Sequence, residues 1–289
     1  MHGCIELNST HSPRLAQSLH SNSMKRLFFL LLAGLACHPL IAQNGASGSR
    51  FSNAAFAPGE TLSYRFHYGL LDAAEAVITV KGSKQNSDWI IDAKGRSVGA
   101  FNWFFKVDDH YQSHIDPRTG LPNYFLRDIR EGGYKLHQDY TFNQSDSSVF
   151  AVAFKGKNNP KQTQHELQGP VYDMVSGIYA LRNIAFNTLA EGDTVSVPIF
   201  MDEEWFDLQA VYAGNENIKW KGQKWNCALI YPVIQTGRIW RNPDDLAVYI
   251  TNDTNRIPLL ASTRILFGSI KMELTNASGL RSPLGFAPN

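Results

Sequence analysis

The sequence predicts a mainly β protein built from curved antiparallel sheets, an open barrel or two β lobes, with one principal α-helix near residues 171–186. Three observations predict it. Apolar and polar residues alternate through a long series of short runs, the period of strands that bury one face. Turn residues (Gly, Asn, Asp and Pro) separate those runs at short intervals, as hairpins require. One stretch, VYDMVSGIYALRNIAF, departs from the pattern and places Met174, Val175, Ile178, Leu181 and Ile184 or Ala185 at helical spacing.

The chain opens on a segment that reads as an address rather than as structure. Residues 1–23 are polar and aperiodic and precede a second methionine, Met24, so the reading takes them as an artefactual extension. From Met24, MKRLFFLLLAGLACHPLIAQ has the basic head, apolar run and small-residue exit of a secretory signal peptide, residues 24–42, too short to cross a bilayer as a stable helix. It can end by cleavage after Ala42 or by lipoprotein processing at Cys37. Gly34, where a lipobox wants Leu, and the His-Pro after Cys37 favour the first. The expectation is an exported protein, periplasmic or associated with the outer membrane. Residues 43–52 read as a flexible tether, 53–280 as a single β-rich domain that could form two lobes around the helix, and 281–289 as a loose tail.

Removing residues 1–42 takes away three of 27 basic and one of 26 acidic residues, which leaves the remainder close to neutral. Neither a basic stripe nor an acidic tail appears, so nucleic acid is not an expected partner. Of Cys4, Cys37 and Cys227 only the last would remain, which excludes an intrachain disulfide. The roughly 245 residues left are enough to bury a core without such links.

In the first half, Thr61–Gly69 alternates cleanly, with Leu62, Tyr64, Phe66 and Tyr68 on one face. Ala74–Val80 and Trp89–Lys94 follow as strands, and the aromatic-dense Phe101–Phe105 feeds a central hairpin. Beyond it come Tyr134–Phe142, Ser148–Phe154 and a polar loop, Lys155–Gln168. Pro170 suits the first turn of the helix, whose apolar stripe is a packing face on, or plugging, the concave side of the sheet. The second half reads as strands at Thr194–Met201, Trp205–Tyr212, Asn217–Lys221, Trp225–Tyr231, Gly237–Trp240, Leu246–Thr251, Ile257–Ile265 and Ser269–Leu274, with Gly214 and Gly222 among the turns.

The central hairpin, Phe104–Tyr134, concentrates acidic, basic and His residues around an Asp-Pro-Arg-Thr-Gly-Leu-Pro turn. Alternation puts Val107, Asp109, Tyr111, Ser113 and Ile115 on one face of its first arm and Asp108, His110, Gln112 and His114 on the other. In the second arm Phe125, Arg127 and Ile129 share a face, opposite Tyr124, Leu126, Asp128 and Arg130. A turn centred near Arg118 places Asp109 across from Arg127, a structural ion pair among apolar neighbours.

The chemistry-bearing residues are fewer than their types suggest. The candidate polar cluster is Asp108, His110, His114, Arg130, Glu131 and Tyr134. His110 and His114, four apart on a strand, are separated by about 13 Å of rise, too far to share one zinc unaided. No metal site or catalytic residue is therefore assigned. Val175-Ser176-Gly177 lies inside the helix without a nucleophile elbow, and Cys227 has no CxxC partner. No Gly-rich phosphate loop opens a helix, so no cofactor is expected. Three readings stay open: a non-enzymatic carrier of a lipid or other amphipathic ligand; an envelope glycan hydrolase drawing a carboxylate pair from Asp108, Asp109, Asp116, Glu131 or Glu203; and a structural partner of an outer-membrane assembly.

The runs PGETLSYRFHYG, VDDHYQSHIDPRTGLPNYFLRDIREGGY, YDMVSGIYALRN, Gly192–Phe200 and YITNDTNRIPLLASTRILFGSIKMEL resemble the bacterial envelope family catalogued as domain of unknown function 3108. Ala73-Ala74 stands where such proteins often carry a glycine after the first strand. The resemblance implies a secreted, mostly antiparallel β protein, and supplies neither substrate nor catalytic residues.

Overall fold

The computed structural model describes residues 55–233, 245–264 and 268–285, all within the compact unit Leu35–Asn289. The signal peptide, the tether, Cys37, the expected strand Gly237–Trp240 and the last four residues of the tail lie outside the described residues.

Fourteen strands form one antiparallel sheet. The first eight are β1 (Thr61–Tyr68), β2 (Leu71–Gly82), β3 (Trp89–Ser97), β4 (Asp108–Ile115), β5 (Pro122–Glu131), β6 (Tyr134–Asn143), β7 (Ser148–Lys155) and β8 (Lys161–Glu166). After a helix come β9 (Thr194–Met201), β10 (Glu204–Trp220), β11 (Gln223–Pro232), β12 (Leu246–Thr251), β13 (Pro258–Arg264) and β14 (Ser269–Ser278). Their order, β8-β7-β6-β5-β4-β3-β2-β1-β14-β13-β12-β11-β10-β9, is two meanders joined where β1 pairs with β14. One sheet therefore runs through both halves of the sequence. The free strands at its two ends are β8 and β9.

Local differences from the expectation have local causes. β8, KQTQHE, lies inside the expected loop because an edge strand with no buried apolar residue carries no alternation to read. Two expected strands fuse into the 17-residue β10: Gly214, with φ +90°, marks a bulge between Tyr212 and Asn215 rather than a turn. The extra residue switches faces, so the core around Phe186, Ala210, Tyr212, Ala228 and Ile230 lies on one side of the β10–β11 ribbon. The core around Trp225 and Cys227, shared with Leu62, Tyr64, Leu259 and Leu274, lies on the other. Phe101–Phe104 forms a single helical turn, α1, with Trp103 and Phe104 exposed.

The principal helix, α2, spans Met174–Leu181, starting later than Pro170 suggests. Its N-cap is Asp173, whose carboxylate accepts the N–H groups of Val175 (2.8 Å) and Ser176 (2.9 Å) while the Ser176 hydroxyl accepts the Asp173 N–H. Ser176 is thus a capping residue. Beyond the cap, the Ser113 hydroxyl of β4 donates to Asp173, tying the helix start to the buried face of the hairpin. On its other side the helix presses on β9: a Cβ on Gly177 would lie 2.2 Å from the Ile199 Cδ1, so a larger residue there would oblige the end of the Ile199 side chain to move. Tyr172 extends the contact by a parallel bridge to Ile199. The helix therefore packs between β9, whose outer edge Tyr172 bonds, and the face of β4. No helix among the described residues is long and apolar enough to cross a membrane.

Candidate functional site

Side-chain alternation in β4 and β5 is as the sequence predicts, since the odd-numbered residues of β4, and those of β5 from Phe125 on, are buried. The register is not. Arg127 lies opposite Tyr111, and His110 opposite Asp128, so Asp109 is a diagonal neighbour of Arg127 rather than its direct partner. The cause is the turn. Asp116 accepts the Gly120 N–H (2.7 Å) and donates to the Leu121 carbonyl (3.0 Å), and a register shift follows at His114/Ile115, which moves the hairpin centre one residue towards the C-terminus.

Arg127 is fully buried, and its hydrogen-bonded acid is Asp202, from the tip of the β9–β10 hairpin. Arg127 Nη1 donates to Asp202 Oδ1 and to Gln138 Oε1, both at 2.8 Å, and Gln138 Nε2 donates to the same Asp202 oxygen at 3.1 Å. The Asp202 N–H donates to the Tyr140 hydroxyl at 3.1 Å. Asp202 (φ +54°) and Glu203 (φ +63°) both hold left-handed backbone, as a two-residue hairpin turn demands, although neither is glycine. Glu203 pairs with Lys161 of β8 at 2.9 Å, so the strained tip clamps the second meander onto the first.

Asp109 and Glu131, 2% and 1% exposed, face one another beside Arg127 and Tyr111. Asp109 accepts the Arg130 N–H at 2.9 Å and hydrogen-bonds the Glu131 side chain. Two carboxyls can do that only by sharing a proton. Burial pushes both above the ordinary carboxylate range, and the negative charge of Asp109 raises Glu131 further, while Arg127 opposes both shifts.

The six residues proposed as one polar cluster divide between the two faces. Glu131 and Tyr134 stand opposite each other on the face of Arg127, with Lys155 above the Tyr134 ring at 4.9 Å. Asp108, His110, His114 and Arg130 lie on the other face, because residues of even number in β4 and β5 point away. There His110 meets Asp92 at 2.5 Å, His114 meets Gln112 at 2.8 Å, and Arg130 pairs with Asp128 at 2.9 Å. Asp116 is spent on Arg118 within the turn. Burial pushes the Cys227 thiol up to about 12, which makes it a packing residue.

A second buried arginine carries no signal in local sequence. Arg182, at the end of α2, forms a bidentate pair with Glu60, Nη1 to Oε1 at 2.6 Å and Nη2 to Oε2 at 2.8 Å. The Asn255 and Arg256 carbonyls accept two further N–H groups, from Nη2 and Nε, and the Phe56 and Tyr179 rings lie against the guanidinium. Burial alone would weaken its charge, but Glu60 more than offsets this and holds the group above its ordinary value.

No curated protein matches the chain. Among solved structures it is similar to the crystal structure of a β-barrel-like protein of domain of unknown function DUF1849 from Brucella abortus. The TM-score is 0.50 at 9% identity, covering 76% of this chain and 96% of that one, a likeness of fold alone. The runs singled out in the sequence lie largely within the segment Ser63–Thr275 that matches one family throughout, and the chain belongs to that family, described as a protein of unknown function, DUF3108.

Proposed function

We propose that this protein is exported to the cell envelope and binds an amphipathic ligand there without transforming it. The observation that supports the reading is a strip of apolar side chains left half-buried, Phe66, Ala76, Ile78, Tyr249 and Met272, against the core of Leu62, Tyr64, Leu259 and Leu274. Apolar side chains that a core could have covered, but leaves partly open, suit an acyl chain. The glycan-hydrolase reading fits less well. Glycosidase carboxyls flank a substrate with about 5–9.5 Å between them, whereas Asp109 and Glu131 hydrogen-bond each other and have almost no exposed surface.

Native mass spectrometry of the purified protein tests the proposal. The expected result is a co-purifying mass that extracts into organic solvent, and that is displaced when Met272 or Ile78 is replaced by a larger Trp. A clean apo mass, with no uptake of added phospholipid or fatty acid, would count against it.

A further inference from the structure

The exposed large apolar residues are unevenly placed. Leu70 (102% exposed) and Leu71 (58%) sit at the β1–β2 turn, and Trp103 (86%) and Phe104 (85%) on α1 in the β3–β4 connection. In the meander both connections are at the same end of the sheet. The β3–β4 connection also touches the start of β2, where the Val98 N–H donates to the Ala73 carbonyl at 3.0 Å. Trp205 and Val233, beside the β9–β10 turn and after β11, lie at that end too. Of the eight exposed large hydrophobics among the described residues, only Val77 and Phe150 lie elsewhere.

The same end is basic along the first meander. Lys106 follows Phe104 by two residues, and its carbonyl accepts the Gly132 N–H at 2.7 Å, which joins that loop to the β5–β6 turn. Lys135, Lys155 and Lys157 continue the rim, with the Gly156 N–H donating to the Lys135 carbonyl at 2.9 Å. All four lysines are exposed. The acidic groups at this end are largely engaged: Asp72 with Arg65, Asp202 with Arg127 and Glu203 with Lys161, which leaves Asp108 and Glu204 exposed.

We infer that this end of the sheet docks on an anionic membrane surface, with Leu70, Leu71, Trp103 and Phe104 entering the headgroup boundary and Lys106, Lys135, Lys155 and Lys157 holding the lipid phosphates. Two physical arguments favour a bilayer over a folded partner. Side chains this exposed protrude as two adjacent pairs from two neighbouring connections, and a fluid interface accepts them without a matching pocket. Tryptophan and leucine beside lysine are also the composition of interfacial anchors, in which apolar insertion and attraction to anionic lipid add together. The inference concerns where the protein works, and it stands or falls apart from the ligand it carries.

Cosedimentation of the purified full-chain product with vesicles of phosphatidylglycerol and phosphatidylethanolamine, against vesicles of phosphatidylcholine, is the test. Binding is expected to the anionic vesicles, to weaken between 0.1 and 0.5 M salt, and to bring a blue shift in tryptophan emission. Trp103→Ser with Phe104→Ser is expected to lower affinity at least about tenfold. Lys106→Gln with Lys135→Gln and Lys157→Gln is expected to abolish the preference for anionic lipid. All these side chains are exposed, so unchanged melting temperatures will show that the variants fold. No vesicle binding by the wild type, or equal binding by the Trp103/Phe104 variant, overturns the inference. So does capture of a protein by this end while vesicles are ignored. Native mass spectrometry of the same variant separates the two proposals, because a retained lipid with lost vesicle binding leaves ligand carriage intact.

Discussion

The two buried arginines, Arg182 and Arg127, solve the same problem in different ways. Around Arg182, one acid, two carbonyls and two aromatic rings surround one guanidinium, and Glu60 is itself fully buried. That arrangement is sealed and charge-balanced. Around Arg127 stand three acids: Asp202, half-exposed, and Asp109 and Glu131, which are buried and share a proton. Only one carboxylate charge in this second cluster has ready access to water. The difference teaches that the first cluster is a structural tie between α2 and the start of β1, whereas the second holds excess acid in reserve and depends on pH.

The largest expected effect breaks the sealed pair. Glu60→Gln is expected to cost about 3–5 kcal/mol in denaturant unfolding, because it leaves the Arg182 charge buried with no acid. A cost below about 1 kcal/mol would mean that water reaches Arg182. Arg127→Ala is expected to cost less, about 2–3 kcal/mol, since Asp202 can rehydrate and the proton shared by Asp109 and Glu131 leaves a single charge on that pair. An unchanged melting temperature would contradict the burial of Arg127.

Glu131→Gln sharpens the contrast through pH. Burial raises the Glu131 carboxyl from 4.5 to about 8, so folding favours its protonated form. That contribution is complete below the unfolded value and is lost as pH rises through the folded one. Between about pH 4.5 and 8 the wild type should lose up to roughly 1.4 kcal/mol per pH unit from this group, and the glutamine variant should not. Parallel stability curves for the two proteins would refute the shared proton. The smallest effect is expected at the open end: Asp202→Asn keeps the left-handed backbone and the contact with Arg127, and should cost about 1 kcal/mol. Equal costs for Asp202→Asn and Glu60→Gln would erase the distinction between the clusters.

How far the sequence reaches can be followed along the central hairpin. Its buried face, from Val107 through Ile115 and from Phe125 through Glu131, is legible because alternation is a property of each strand alone. Arg127 is legible as buried for the same reason. Its partner is not: Asp202 lies 75 residues away, at a hairpin tip whose approach depends on the curl of the whole sheet. Asp109, chosen from the hairpin, is a neighbour displaced by one turn residue. The split of Asp108, His110, His114 and Arg130 from Glu131 and Tyr134 follows from the same alternation, since cluster members taken from both parities cannot share a face. Glu60 and Arg182 are 122 residues apart, and neither sits in a run that marks it as charged and buried.

By itself, then, the sequence determined the strand character, the faces of the hairpin arms, the helix and the family, because each is written in residue spacing or in contiguous runs. The tertiary structure decided which acid meets which arginine, where β10 switches faces, how closely Gly177 meets Ile199, and that the exposed apolar residues gather at one end. Each of these depends on the register and curvature of fourteen strands together, and a shift of one residue in a single turn is enough to change the partner.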